Sequence, residues 1–172
     1  MMLQITILML VMDIFSRFDG KPGTIYSSIN RFGNFLIFLL SPILPSLWLL
    51  YVHCQVFHEE RKTRRLLYPL FVINAINAAI VVLSQFLGWF YYFDSDNIYH
   101  RGPLFLLPAS ITIVLILAAF VLVIVNRKKI EKKYYFSLIF FGIPPFVCII
   151  LQIIFYGISL MLNSVVISSL IV

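Results

Sequence analysis

Asp13 and Arg17 stand four residues apart at the end of an apolar stretch, a spacing that sets a carboxylate and a guanidinium on one helical face. A carboxylate inside a membrane is a functional candidate by default, while the plainer role of such a pair is to pin a helix end at the surface. Asn74, Asn77 and Ser84 fall at i, i+3 and i+10, a polar stripe on one helix face. Such a stripe bonds a neighbouring helix or contacts a ligand, and the first use is the commoner. Tyr99, His100 and Arg101, with Asp94 and Asp96, crowd into one loop. Their chemistry suits an anionic or amphiphilic ligand bound beside Asp13 and Arg17, and a solvated turn is the plainer alternative. The candidate ligand-binding set is therefore Asp13, Arg17, Asn74, Asn77, Tyr99, His100 and Arg101.

Metal and catalytic chemistry are not expected. His53, Cys54 and His58 contain one pair a helical turn apart, but His53 points to another face, and zinc needs three or four convergent ligands. The two cysteines, Cys54 and Cys148, form no CxxC pair and no disulfide framework. His58-Glu59-Glu60 lacks the second histidine of a zinc protease, and no phosphate-binding or nucleophile-elbow motif is present. No cofactor is called for.

The elements that carry these residues are membrane helices. Of 172 residues, 62% are hydrophobic and 12% charged, far from the roughly 25% charged of soluble domains. Mean hydropathy is +1.01. Long runs without a fixed charge separate Arg31 from Glu59, Arg65 from Asp94, Arg101 from Arg127 and Lys133 from the end of the sequence. A spanning helix needs about 20 apolar residues. The chain reads as an all-α, polytopic transmembrane bundle forming one domain over 1–172, with six segments at about 3–16, 34–54, 67–92, 103–125, 135–156 and 160–172. Pro42 and Pro45 interrupt the second, and Gly142, Pro144 and Pro145 the fifth, so both should bend, as plain shape features or as breaks that expose backbone to a ligand. Gln85 and Gln152 are further polar positions of the interhelical kind.

The net charge of +6 is no nucleic-acid footprint, because nine of the 13 basic residues sit in two clusters, Arg61 to Arg65 and Arg127 to Lys133. Basic loops stay in the cytoplasm, which sets both termini inside and the loops after the first, third and fifth segments outside. Trp89 to Phe93 then reads as an aromatic belt at the headgroup level. The first segment, at about 21 Å, falls short of the ~30 Å hydrocarbon core. The last ends without an anchor. Both ends suggest an excerpt of a longer protein.

Several strings are familiar: Asp13-Ile-Phe-Ser-Arg-Phe-Asp-Gly-Lys-Pro-Gly-Thr24, Ile43-Leu-Pro-Ser-Leu-Trp-Leu-Leu-Tyr51, Asn97-Ile-Tyr-His-Arg-Gly-Pro-Leu104 and Gln152-Ile-Ile-Phe-Tyr-Gly-Ile-Ser-Leu160. With them the chain resembles the N-terminal multi-helix membrane region of bacterial, clostridial-type diguanylate cyclases of the GGDEF family. The resemblance implies a sensory input module in the bacterial cytoplasmic membrane, serving a C-terminal cytoplasmic output domain in cyclic di-GMP signalling. No GGDEF domain is present, so no cyclase activity carries over. Expected partners are the bilayer, a small extracellular ligand, the output domain and a second copy in a homodimer, but no nucleic acid. A truncated remnant without activity of its own ranks next. A small substrate-binding transport component with a mid-membrane pocket ranks last.

Overall fold

The computed structural model describes residues 2–154. The segment expected at 160–172, with the turn before it, lies outside the described residues.

The chain folds as an all-α membrane bundle of six helices among the described residues: α1 (Met2–Ser16), α2 (Thr24–Leu40), α3 (Ile43–Phe57), α4 (Glu60–Leu87), α5 (Leu106–Val125) and α6 (Lys132–Ile154). A two-stranded antiparallel hairpin, β1 (Tyr91–Phe93) and β2 (Tyr99–Arg101), stands between α4 and α5. Four stretches are long and apolar enough to cross a membrane: Thr24–Phe57, Arg61–Leu87, Leu106–Val125 and Tyr134–Leu151.

The observed elements start and stop where local chemistry dictates, and two depart from the hydropathy reading. The helix read from about residue 34 begins at Thr24, directly after Pro22 and Gly23, whose φ of 117° suits glycine. Its first turns carry Asn30 and Arg31, so a search for apolar runs passes over them. At ~1.5 Å per residue, the 34 residues from Thr24 to Phe57 span about 51 Å, well beyond a ~30 Å core. The stretch is therefore longer than one crossing needs. At the same end of the bundle as the start of α2, α4 stops at Leu87 rather than continuing to Tyr92, because Gly88 turns left-handed (φ 64°) and returns its N–H to the Ser84 carbonyl at 2.9 Å. The aromatic residues after it fold back as the hairpin. Phe90 and Tyr91 are buried against Val81 and Phe38, so this half of the expected aromatic belt faces protein, and Tyr92 alone of the strand β1 residues is exposed.

Helices in lipid gain no hydrophobic advantage from touching one another, so close packing and hydrogen bonds hold the bundle. The principal core joins α3, α5 and α6 through Trp48, Val52, Ile116, Ala119, Leu138 and Ile149, with Trp48 edge-on to Phe120 at 5.5 Å. Gly142 permits this contact, since any side chain there would collide with the Trp48 ring. Antiparallel α1 lies on α2, where a side chain at Gly33 would come within 2.7 Å of the Met12 carbonyl oxygen. Between α3 and α4 the chain reverses within two residues, with His58 left-handed at φ 50°. Between α2 and α3 it passes Ser41 and Pro42, while α6 stays helical through Pro144 and Pro145.

Candidate functional site

The start of α2 is covered by a cap made of the α1–α2 turn and the hairpin. At the hairpin tip, Asp94 Oδ1 accepts the N–H groups of Asp96 (3.0 Å) and Ile98 (2.9 Å), and Oδ2 lies 2.9 Å from His100 Nε2 across the strands. The His100 bond first, then the two N–H groups, hold the Asp94 carboxyl below its ordinary range. Tyr92 stacks on the His100 ring at 5.1 Å. Gly102 closes the hairpin base: its N–H reaches the Phe90 carbonyl at 2.9 Å, and a side chain there would strike the Gly88 and Trp89 carbonyls.

Asn97 is the joint between hairpin and turn. Its backbone is left-handed (φ 61°), a conformation asparagine tolerates. Its carbonyl accepts the Gly20 N–H at 3.0 Å, and its Nδ2 donates to the Phe18 carbonyl at 3.0 Å and, more weakly, to Lys21 at 3.4 Å. Asn30 of α2, fully buried, donates to Asn97 Oδ1 (3.3 Å) and Asp19 Oδ1 (3.4 Å). The same Asp19 oxygen accepts the Tyr99 N–H at 2.7 Å. Asn34, one turn on, orients Asn30 by donating to its Oδ1 at 2.9 Å. Four residues that the sequence reading passed over, Asp19, Asn30, Asn34 and Asn97, thus assemble the cap. Their signals were present: amides at i and i+4 ahead of an apolar run, and an Asp-Ser-Asp-Asn turn sequence.

The seven sequence-nominated residues fall at three places. Asp13 and Arg17 pair at 3.5 Å on the last turn of α1, just before the cap, with Arg17 exposed. Tyr99, His100 and Arg101 form β2. Tyr99 is tied to Asp19 and His100 to Asp94, while Arg101 lies 4.3 Å over the Phe105 ring and donates to the Ile153 carbonyl of α6 at 3.2 Å. The third place is deeper. Asn77 Nδ2 donates to the Phe38 carbonyl at 3.0 Å, and Asn74 Nδ2 donates to Ser46 Oγ at 2.9 Å and to the Leu70 carbonyl at 2.7 Å. The Ser46 hydroxyl in turn donates to the Pro42 carbonyl at 2.7 Å. The polar stripe of α4 thereby stitches the proline break of α2 and α3. Among the described residues, Asn74 Oδ1, Asn77 Oδ1 and Trp48 Nε1 are buried without a hydrogen-bond partner.

Around the cap, rings and cations alternate: Arg31 over Phe93 at 5.5 Å, Lys21 over Phe18 at 5.1 Å, and Phe18 stacked on Tyr26 at 5.3 Å. Beneath it Tyr91 accepts a hydrogen bond from Gln85 at 2.8 Å, and burial pushes its phenol up to about 12. The cap thus presents carboxylates held in turns and cations standing over aromatic faces.

Comparison with known families decides what such a bundle belongs to. Residues 4–172 match the family described as the N-terminal 7TM region of histidine kinase. The chain belongs to that family. The 7TM region is the membrane sensor region of a signalling protein, so the expected sensory input module stands at that level, and its family is the histidine-kinase one rather than the cyclase one. As a 7TM region, the chain is multi-pass and in contact with lipid along its apolar helices. No curated protein and no solved structure matches it.

Proposed function

We propose that this 7TM region is the input half of a bacterial receptor of the histidine-kinase type, with the cap outside the cytoplasmic membrane and both termini inside. The cap meets a small extracellular ligand, the segment read at 160–172 passes the response inward to a cytoplasmic kinase, and two copies of the chain work as a homodimer. The bond from Arg101 Nη1 to the Ile153 carbonyl supports this reading most directly, because it ties the outer hairpin to the last described helix. A ligand shifts such a receptor only by binding two helix arrangements with different affinity. The α2–α3 break at Pro42 is the element suited to alternate between them. The orientation is supported by the two basic junctions lying opposite the cap.

The test uses the full-length receptor: Arg101→Gln, Arg17→Gln and Asp13→Asn variants are assayed for stimulus-dependent autophosphorylation. The reading expects a changed response from Arg101→Gln at unchanged membrane abundance. It is lost if all three variants respond as the parent does. Reporter fusions at Asp96 and at Lys128 test the orientation, the first expected outside and the second inside. The strings similar to diguanylate cyclase input regions favour a second output, a cyclase. The reading frame beyond Val172 distinguishes the two, since a kinase core and a GGDEF domain share no motif.

A further inference from the structure

All of the net charge belongs to one end of this bundle. Around the cap stand four bases (Arg17, Lys21, Arg31, Arg101) and four acids (Asp13, Asp19, Asp94, Asp96), which cancel. At the α3–α4 and α5–α6 junctions stand nine bases and three acids (Glu59, Glu60, Glu131), a net of six positive charges.

The fold brings these two junctions to one spot. Lys62, from the start of α4, lies with its Nζ 5.7 Å from the centre of the Phe57 ring, and Lys129, from the α5–α6 turn, lies 5.3 Å from the same centre. Two ammonium groups that share one ring are at most 11.0 Å apart, the sum of those distances. Among the described residues, the one salt bridge at this end is Lys62 to Glu59 at 2.9 Å. Among the described residues Lys129 has the Phe57 ring beside it but no salt bridge. Like charges gathered this closely repel, and the first turns of a helix add the positive end of its dipole beside Lys62.

We propose that Lys62, Lys129 and Phe57 form a binding site for the headgroup of a dianionic phospholipid of the cardiolipin class. The α3–α4 side supplies one cation and the α5–α6 side the other, so a headgroup with two phosphates bridges the junctions. A lipid fits better than free phosphate because apolar surface begins immediately beside the site. Leu67 is 47% exposed, Ile124 54% and Val125 74%, and acyl chains cover such surface. This inference does not depend on the identity of the output domain.

The purified chain is reconstituted in nanodiscs of phosphatidylcholine alone, of phosphatidylcholine with cardiolipin, and of phosphatidylcholine with phosphatidylglycerol at equal total lipid charge. Thermal unfolding and native mass spectrometry are read on the parent, on Lys62→Gln/Lys129→Gln and on the charge-matched control Arg64→Gln/Lys128→Gln. The parent should unfold highest with cardiolipin and retain it through detergent extraction. The Lys62/Lys129 pair should weaken that retention roughly 30-fold, as expected for two juxtamembrane lysines, and the control pair should retain most of it. Should the variant fail to fold, retention of cardiolipin over phosphatidylglycerol by the parent still decides. Equal retention of the two lipids, equal loss in both variant pairs, or full replacement of cardiolipin by inorganic phosphate would each overturn the proposal.

Discussion

Asn77 supplies the hydrogen bond that Pro42 withholds. In an unbroken helix the Phe38 carbonyl would accept the N–H of residue 42, but proline has none, and Asn77 Nδ2 of the neighbouring helix donates instead at 3.0 Å. Asn77 is fully buried, so an open carbonyl beside it would be costly. The break in α2 and the polar stripe of α4 are therefore one feature.

That coupling makes a measurable cycle. Asn77→Leu should destabilise the bundle by about 1 kcal/mol, the scale of interhelical hydrogen bonds in membranes. Pro42→Ala restores the backbone donor, so Asn77→Leu should cost less in that background than in the parent. Unfolding in detergent micelles of the two single variants and the double variant gives the interaction directly, and strict additivity would refute the link.

Gly142 should tolerate no side chain. A Cβ there meets the Trp48 ring and comes within 2.8 Å of Phe120 Cζ. Gly142→Ala should cost about 1–3 kcal/mol, the range for overpacking. Trimming the ring with Trp48→Leu should recover part of that loss, which thermal melts of the double variant would register.

The hairpin should loosen in acid. Asp94 is held below the ordinary aspartate value of 3.8, chiefly by the His100 bond. A carboxyl depressed in the folded state contributes stability above its unfolded pKa, and that contribution fades as pH falls below about 3.8 through the lower folded value. Trp89 fluorescence, followed in a Trp48→Phe background from neutral pH downward, should change in that window. The change should vanish in Asp94→Asn.

Asn97 should resist replacement in a defined order. Glycine keeps the left-handed backbone but loses the bonds to Phe18 and Asn30, while alanine loses both conformation and bonds. Amide exchange at Gly20, whose N–H is bonded to the Asn97 carbonyl, should accelerate from Asn97 to Gly to Ala. Identical exchange in all three would show that the joint does not hold the cap.

The proline break, the Asp13–Arg17 pair and the Asn74–Asn77 stripe could be read from sequence because each is local, fixed by spacing along one helix. The cap could not. Asn30 and Asn97 are 67 residues apart in sequence, and polar residues in two separate loops give no sign of which will meet. The apolar-run criterion also missed the start of α2, since it marks where a helix lies in lipid and not where the helix begins.

Sequence alone determined that this chain lives in a bilayer, because hydropathy and charge spacing are sums over neighbouring residues and need no fold. It also determined which residue types were available for binding. Tertiary structure decided the rest: that Asn77 completes a helix broken by Pro42, that Arg101 reaches α6, and that Lys62 and Lys129 converge on Phe57. Each of these joins groups on different elements, and such contacts exist only once the helices have packed.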